Sequence, residues 1–355
     1  MHFPHVKLLD TQLKTNEHMS RVSMAALFIV GVVELWAGFN YPMMYFDLDL
    51  FGTEPYQITK TILSVSLIII GLLLMKGPHM TVAMISVITG ISASSFSLTN
   101  LLFGMGGDYM LDELLSIPLM FIAVLYRLRK ERYRAYATGI FAISMFVISV
   151  FSEYRLSLLG GFGLLISGFM FMLLGMFGLI RKKVICYSGE RDYGYEMVSI
   201  AGFMFVSLYC VISSLDIYDY PYYMVSFLLS LSITFIAVWG LMDGILIEGL
   251  VQFMYGFSSL IFAIDRLLGG QGYVITDLGF ALIIGICGVM LLMRRQYTLA
   301  IPCILFGVLI IPGSAFEQGF MWGVASLAML PFFAYYSISR WLYRDIGKEI
   351  LPITE

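Results

Sequence analysis

The chain contains twelve apolar segments, each close to the length of about 20 residues that an α-helix needs to cross a bilayer. Helices satisfy their own backbone hydrogen bonds in lipid. Hydrophobic residues make up 59% of the sequence and charged residues 13%, against about 25% in ordinary soluble domains. The sequence therefore predicts an all-α polytopic membrane protein with spans at residues 22–40, 58–75, 80–103, 109–126, 134–152, 156–180, 196–215, 221–243, 247–268, 273–293, 297–313 and 318–342.

The residues that separate the apolar segments follow a similar order in the second six segments and in the first six. Residues 71–77 and 240–244 are glycine-bounded ends of apolar runs, and Tyr109 and Tyr273 each precede an acidic residue by four positions. Internal similarity of this kind indicates duplication. An even number of spans in each copy makes the repeat parallel rather than inverted. We therefore predict a pseudo-dimer of two parallel six-helix repeats, divided into an N-terminal segment at 1–21, repeats at 22–183 and 196–342, a linker at 184–195 and a tail at 343–355.

Positive charge sets the predicted orientation. Of the 21 Lys and Arg residues, 18 lie on one side of the predicted membrane, and Lys60, Arg155 and Arg266 lie on the other. Lys and Arg concentrate in cytoplasmic loops, so we expect a multi-pass protein of the cell membrane with both termini and the linker in the cytoplasm. The outer side carries twelve acidic residues, a balance that repels anions and attracts protons or cations.

The sequence lacks the motifs of common soluble enzymes and metal sites. Its four cysteines show no CxxC spacing, and it has no nucleotide-binding loop, no HExxH or GxSxG motif and no basic patch for nucleic acid. We therefore expect no enzyme activity, cofactor, metal site or nucleic-acid partner.

The second half carries short motifs in a fixed order: Gly202-Phe203, Gly240-Leu-Met-Asp243, Phe253-Met-Tyr255-Gly256-Phe-Ser258 and Gly347-Lys-Glu-Ile-Leu351-Pro352. This series resembles the acetate uptake transporter family, which includes the succinate-acetate permease. The resemblance covers roughly residues 196–355, and the internal repeat extends it to 22–183. It implies a six-helix pore for a small carboxylate in each repeat, and a homo-oligomer that is a trimer of pseudo-dimers.

The resemblance also implies a substrate-binding site. In the family pattern the pore tyrosine and phenylalanine correspond to Tyr255 and Phe203, and Ser258 lies about one turn beyond Tyr255 on a similar face. Phe203, Tyr255 and Ser258 are therefore candidate substrate-binding residues, although aromatic residues also pack cores or face lipid. Because Thr89 stands at the place of Tyr255 in the first half, we expect the second half to keep the more typical pore.

Two acidic residues are candidates for proton-linked roles. Glu34 lies well inside the first span, where an ionised carboxylate costs roughly 2.5–3.5 kcal/mol, so it should be protonated, paired or in contact with water. Such a group either carries a proton during transport or hydrogen-bonds a neighbouring helix. Asp243 lies in the short turn after the eighth span, where a solvated turn carboxylate and a proton relay both remain open.

These features predict a membrane transporter or channel for small monocarboxylates such as acetate, linked to protons. The expected partners are membrane lipid, a small carboxylate or polar solute, and protons. Two other functions remain open: a channel for small neutral polar solutes of the urea or amide type, and a scaffold or sensor that kept the fold without a pore. The last reading draws on the absence of the family's Asn-Pro-Ala-Pro-Leu-Gly signature before the seventh span.

Overall fold

A computed structural model describes most of the chain, and the elements that it describes are all helices. The described residues are 20–39, 54–75, 77, 79–104, 110–150, 154–181, 197–214, 220–269, 274–315 and 319–346. The predicted linker 184–195, nearly all of the N-terminal segment 1–21 and most of the tail 343–355 lie outside them.

The described helices belong to two compact units, Met1–Tyr193 and Gly194–Glu355. The first unit has α1 (Ser20–Phe39), α2 (Glu54–Met75), α3 (Met80–Phe103), α4 (Met110–Leu128), α5 (Arg132–Val150) and α6 (Tyr154–Arg181). The second has α7 (Met197–Ser214, opening with a π-helical turn), α8 (Tyr220–Met242), α9 (Leu246–Leu267), α10 (Val274–Met293), α11 (Tyr297–Ala315) and α12 (Gly319–Ile346). Each helix begins and ends within about four residues of its predicted segment, the usual error of such boundaries, so the helical prediction is confirmed.

Eight of the described helices are long and apolar enough to cross a membrane: α1, α2, α3, α5, α6, α7, α8 and α9. Shorter apolar segments lie in α4, α10 and α11, at Leu114–Leu128, Gly279–Met293 and Tyr297–Ile310. The chain is therefore a helical protein of the membrane-embedded type, as its composition indicates. That all twelve helices cross the membrane stays a prediction.

Within each unit, neighbouring helices follow the same order. In the first unit α2 packs on α3, α4 on α5 and α5 on α6, while α1 lies against α6. In the second unit α8 packs on α9, α10 on α11 and α11 on α12, while α7 lies against α12. Each unit thus pairs its first helix with its last, which brings together residues that are far apart in the sequence.

Glycines allow α1 and α6 to lie in backbone contact. Gly31 faces the backbone of Gly168, and Gly38, seven residues further on, faces the backbone of Gly161. A methyl group on Gly38 would lie 2.9 Å from the carbonyl oxygen of Gly161, closer than such atoms normally approach. Small residues let helices in apolar surroundings associate through close van der Waals packing. This contact fixes the register of α1 against α6 and hence the position of the residues between the glycines.

Two turns, one in each unit, share the same backbone geometry. Lys130 between α4 and α5 and Arg295 between α10 and α11 both have a φ of 63°. In each turn the following residue donates its N–H to the carbonyl oxygen five positions earlier, at 2.9 Å in the first unit and 3.0 Å in the second. Left-handed backbone is uncommon for residues other than glycine. The same unusual turn therefore joins the fourth helix to the fifth in both units.

Gly31→Ala should destabilise the protein by about 1–3 kcal/mol, the usual cost of overpacking, because the added methyl group meets backbone atoms of α6. Gly279→Ala is the matched control, since Gly279 also lies in a helix and nothing lies within 4 Å of its added methyl group. Alanine has the higher helix propensity there. Thermal unfolding in detergent micelles measures both changes. Equal melting temperatures for the two variants would contradict the close contact between α1 and α6.

Candidate functional site

The described part of the first unit contains a cavity of about 70 Å³. Residues from all six helices of the unit line it. A single buried water molecule needs roughly 10–15 Å³ of internal space, so the cavity has room for several waters or one small polar solute. Most of its polar lining is ionisable or carries a hydroxyl group, which makes this cavity the candidate functional site.

Glu34 of α1 lines the cavity and is only 1% exposed. Its Oε2 accepts a hydrogen bond from the hydroxyl of Ser167 in α6, at 2.7 Å. Its other carboxyl oxygen, Oε1, is buried and has no hydrogen-bond partner among the described residues. The structure therefore has Glu34 bonded to a neighbouring helix through one oxygen and leaves the second oxygen available to an occupant of the cavity.

Lys60 of α2 and Asp112 of α4 bring opposite charges to the cavity wall. The Lys60 side chain is 7% exposed, and its Nζ lies 4.3 Å from the centre of the Phe96 ring, a cation–π contact. Asp112 accepts a hydrogen bond of 2.6 Å from the hydroxyl of Ser92 and interacts electrostatically with Lys60. The cavity thus holds a cation beside a carboxylate, both anchored by further contacts.

Hydroxyl groups and hydrocarbon complete the lining. Thr89 of α3 is 3% exposed, and its hydroxyl oxygen has no hydrogen-bond partner among the described residues. Burying such a group without a partner costs free energy, so an occupant that bonds to it is stabilised. The apolar wall consists of Val33, Ala37, Ala93, Phe96, Phe141, Met145, Ile148 and Leu164. The cavity lining therefore offers both groups that bind charge or hydrogen-bonding atoms and groups that accept hydrocarbon.

In the second unit, Tyr255 of α9 is buried and 1% exposed, so it does not face lipid. Its hydroxyl lies 3.2 Å from the sulfur of Cys210 and 3.4 Å from the hydroxyl of Ser326. Its ring meets the edge or face of two more aromatic rings, Tyr209 at 5.6 Å and Phe306 at 5.7 Å between centroids. The side chain of Tyr255 is therefore packed against these four residues.

The other two predicted substrate-binding residues differ in their relation to Tyr255. Ser258 is 4% exposed and donates its hydroxyl to the Tyr255 carbonyl at 3.1 Å. Phe203 is also buried, but it stacks on Phe333 at 5.1 Å and meets the edge of Tyr336 at 5.4 Å. The structure brings Ser258 next to Tyr255 and places Phe203 in another aromatic cluster. Substrate binding by these three residues stays a prediction.

Asp243, the second candidate for a proton-linked role, lies in the turn between α8 and α9 and is exposed. Its N–H donates to the carbonyl of Trp239, and the next residue, Gly244, has a left-handed φ of 89°. This position is typical of a solvated turn carboxylate. Glu34, in contrast, lies deep among the helices of its unit.

From the sequence, Lys60 and Asp112 (one of the twelve acidic residues of the predicted outer side) could be assigned only to that side, and nothing linked them to Glu34. One signal was present, because Lys60 is the one basic residue inside the apolar run of the second span. Such residues in apolar helices face the protein interior or a polar cavity. The meeting of Lys60 with Asp112 depends on helix packing that the sequence pattern does not encode.

Comparisons with protein-family models, curated proteins and solved structures found no match to this chain. The resemblance to the acetate uptake transporter family therefore remains a prediction from short motifs.

Lys60→Met and Asp112→Asn should each destabilise the protein, and the double variant should be less affected than the sum, with a coupling of about 0.5–3 kcal/mol. Each single change leaves one charge in the cavity lining without its counter-charge. The control is the half-buried pair Glu131 and Arg134, joined at 2.6 Å outside the cavity lining, whose coupling should be below about 0.5 kcal/mol. Unfolding in detergent measures both double-mutant cycles. Additive effects of Lys60→Met and Asp112→Asn would contradict the electrostatic contact.

Proposed function

We propose that this chain is a membrane transporter that moves small monocarboxylates such as acetate together with protons, and that the cavity of the first unit is the solute site. The observation that carries the proposal is the lining of this cavity. It combines a cation and a free hydroxyl group for carboxylate oxygens with hydrocarbon for a methyl group: Lys60, Thr89, Phe96 and Phe141. Solute sites are typically of this kind, apolar with a few polar groups that fix orientation.

Charge balance in the cavity supports the link to protons. When Glu34, Lys60 and Asp112 are all ionised, as in our proposal before solute enters, they carry one net negative charge. A carboxylate anion makes the cavity more negative by one charge, and a proton that enters with it cancels this change. Because net charge in apolar surroundings is costly, the cavity favours one proton for each carboxylate. The unpaired Oε1 of Glu34 is the atom that takes this proton in our proposal.

The same proposal includes the predicted architecture of two parallel six-helix repeats that together cross the membrane twelve times. The shared order of helix neighbours in the two units supports it. So do the matching left-handed turns at Lys130 and Arg295. Cytoplasmic termini follow from the distribution of Lys and Arg, and the trimer of pseudo-dimers rests on the family resemblance alone.

A channel for small neutral polar solutes is the second candidate. The observation that favours it is the pair of unpartnered polar oxygens in the cavity, Glu34 Oε1 and Thr89 Oγ1. A protonated carboxyl group and a hydroxyl can each donate and accept hydrogen bonds, which suits the N–H and C=O groups of urea or an amide. Such a solute would cross without a proton.

Flux into vesicles separates these functions. With an inward proton gradient, vesicles containing the protein should take up labelled acetate faster than without one. Glu34→Gln keeps the shape of the side chain and its acceptor for Ser167 but cannot ionise. It should lower the proton stimulation by about tenfold or more, equivalent to roughly 1.4 kcal/mol. Lys60→Met should lower acetate uptake itself, because the cation that attracts the carboxylate is removed.

The matched control for Glu34→Gln is Glu131→Gln in the turn after α4, where the carboxylate pairs with Arg134 outside the cavity lining. It should leave the proton stimulation unchanged. Uptake of urea that is indifferent to the proton gradient, without acetate uptake, would support the channel instead. Uptake of neither solute would contradict both transport functions and favour a scaffold or sensor.

A further inference from the structure

Tyr255 occupies the same position in the second unit as Thr89 does in the first. Each residue directly precedes the glycine at which the third helix of its unit packs on the second. A methyl group on Gly90 would lie 2.7 Å from the carbonyl oxygen of Ser64 in α2, and one on Gly256 would lie 2.9 Å from the backbone nitrogen of Thr234 in α8. The two helix pairs therefore meet in a matching register.

Cys210 likewise corresponds to Glu34. Four residues after Glu34, Gly38 meets Gly161 of α6, and four residues after Cys210, Ser214 meets Gly323 of α12. The first and last helices of each unit thus cross at equivalent points. Val33 directly precedes Glu34 and Tyr209 directly precedes Cys210, so Val33 and Tyr209 also occupy equivalent positions.

Three further pairs of equivalent residues follow from these contacts and turns. Leu164 lies three residues after Gly161, and Ser326 lies three residues after Gly323. Phe141 and Phe306 each lie eleven residues after the left-handed turn residue of their unit, Lys130 or Arg295. Ser92 and Ser258 each lie three residues after Thr89 and Tyr255, respectively.

All these positions surround one place in each unit. Tyr209, Cys210, Phe306 and Ser326 contact the side chain of Tyr255, and Ser258 bonds to its backbone carbonyl one turn further along the helix. Their counterparts in the first unit are Val33, Glu34, Phe141, Leu164 and Ser92, and each of them lines the cavity, as Thr89 does. We propose that the Tyr255 ring fills, in the second unit, the space that is the cavity of the first unit. The second unit is then a closed copy of the site.

The replacements in the second unit compensate one another chemically. Tyrosine in place of threonine brings a ring that fills space, together with a hydroxyl that needs a partner when buried. Cysteine in place of glutamate removes an ionisable carboxyl group and puts a sulfur 3.2 Å from that hydroxyl. Serine in place of leucine adds a second hydrogen-bonding group at 3.4 Å. A charged, open site thus becomes a neutral, packed one.

This inference sharpens the proposed function, on which its transport part rests: solute crosses through the first unit alone. The filling of the second unit by Tyr255 does not depend on transport, so it can be tested separately.

The test uses thiol labelling by methyl methanethiosulfonate, which is small and uncharged. Cys210 is kept as the only cysteine by replacing Cys186, Cys287 and Cys303 with serine. Labelling of a buried group requires a local opening, so Cys210 should react slowly beside Tyr255. After Tyr255→Thr the ring no longer covers the thiol, and the reaction should be about tenfold or more faster. Tyr255→Phe keeps the ring and should leave the reaction slow.

The converse labelling experiment uses the first unit. In a chain without the four native cysteines, Glu34→Cys places a thiol at the position equivalent to Cys210, and it should react readily because the cavity is open beside it. Adding Thr89→Tyr should slow this reaction by about tenfold or more, because the ring closes the space. Thr89→Val should not slow the reaction, because valine is similar in size to threonine.

Equal reactivity of Cys210 with tyrosine or threonine at position 255 would overturn the proposal. So would a Glu34→Cys thiol that Thr89→Tyr does not protect. Melting temperatures identify any variant that fails to fold, and if Tyr255→Thr is one, the Thr89→Tyr arm decides alone. In vesicles Thr89→Tyr should also abolish acetate uptake. Labelling as expected in a protein that moves no acetate would refute the proposed function and leave the closed copy intact.

Discussion

The close backbone contact between α1 and α6 is the interaction on which the candidate site depends. Glycines at Gly31 and Gly168 bring the two helices so near that the hydroxyl of Ser167 reaches Glu34 at 2.7 Å. With α6 further away, both oxygens of this carboxyl group would be buried without a partner, and each unmade bond to such a group costs about 1–3 kcal/mol or more. The packing of small residues thus makes a mid-helix acid tolerable.

The site also depends on how the other hydroxyl groups of α3 are satisfied, because a hydroxyl that bonds within its own helix does not bind an occupant of the cavity. On α3, Ser86, Ser94 and Ser97 each donate to the carbonyl four residues earlier in their own helix. Such bonds satisfy hydroxyls within a helix, as the absence of water in lipid requires. Thr89 lies on the same helix without a partner of this kind among the described residues. Its hydroxyl is therefore the one on this stretch that is free to bind an occupant.

Much of this architecture is readable from the sequence, because apolar runs of sufficient length fix where helices form. Glu34 could also be singled out, since one acid inside an apolar run needs an explanation wherever it packs. That Lys60 and Asp112 line the same cavity could not be predicted, because it depends on how the six helices of the first unit pack around one space. For the same reason the motif that joined Phe203 to Tyr255 did not reveal that they occupy different aromatic clusters. The expected site lay in the second half, whereas the described cavity lies in the first.

The difference between the two units has a thermodynamic reason. Unfilled internal volume is destabilising by about 24 cal/mol per Å³, so an empty space the size of this cavity costs on the order of 1–2 kcal/mol. In our proposal Tyr255 fills the equivalent space of the second unit, which avoids this cost and the burial of a carboxyl group at that position. The first unit retains both, and natural proteins commonly keep such unstable features where activity requires them. Under our proposal, the tightly packed second unit stabilises the chain, and the first unit, with Glu34 and Lys60, binds the solute.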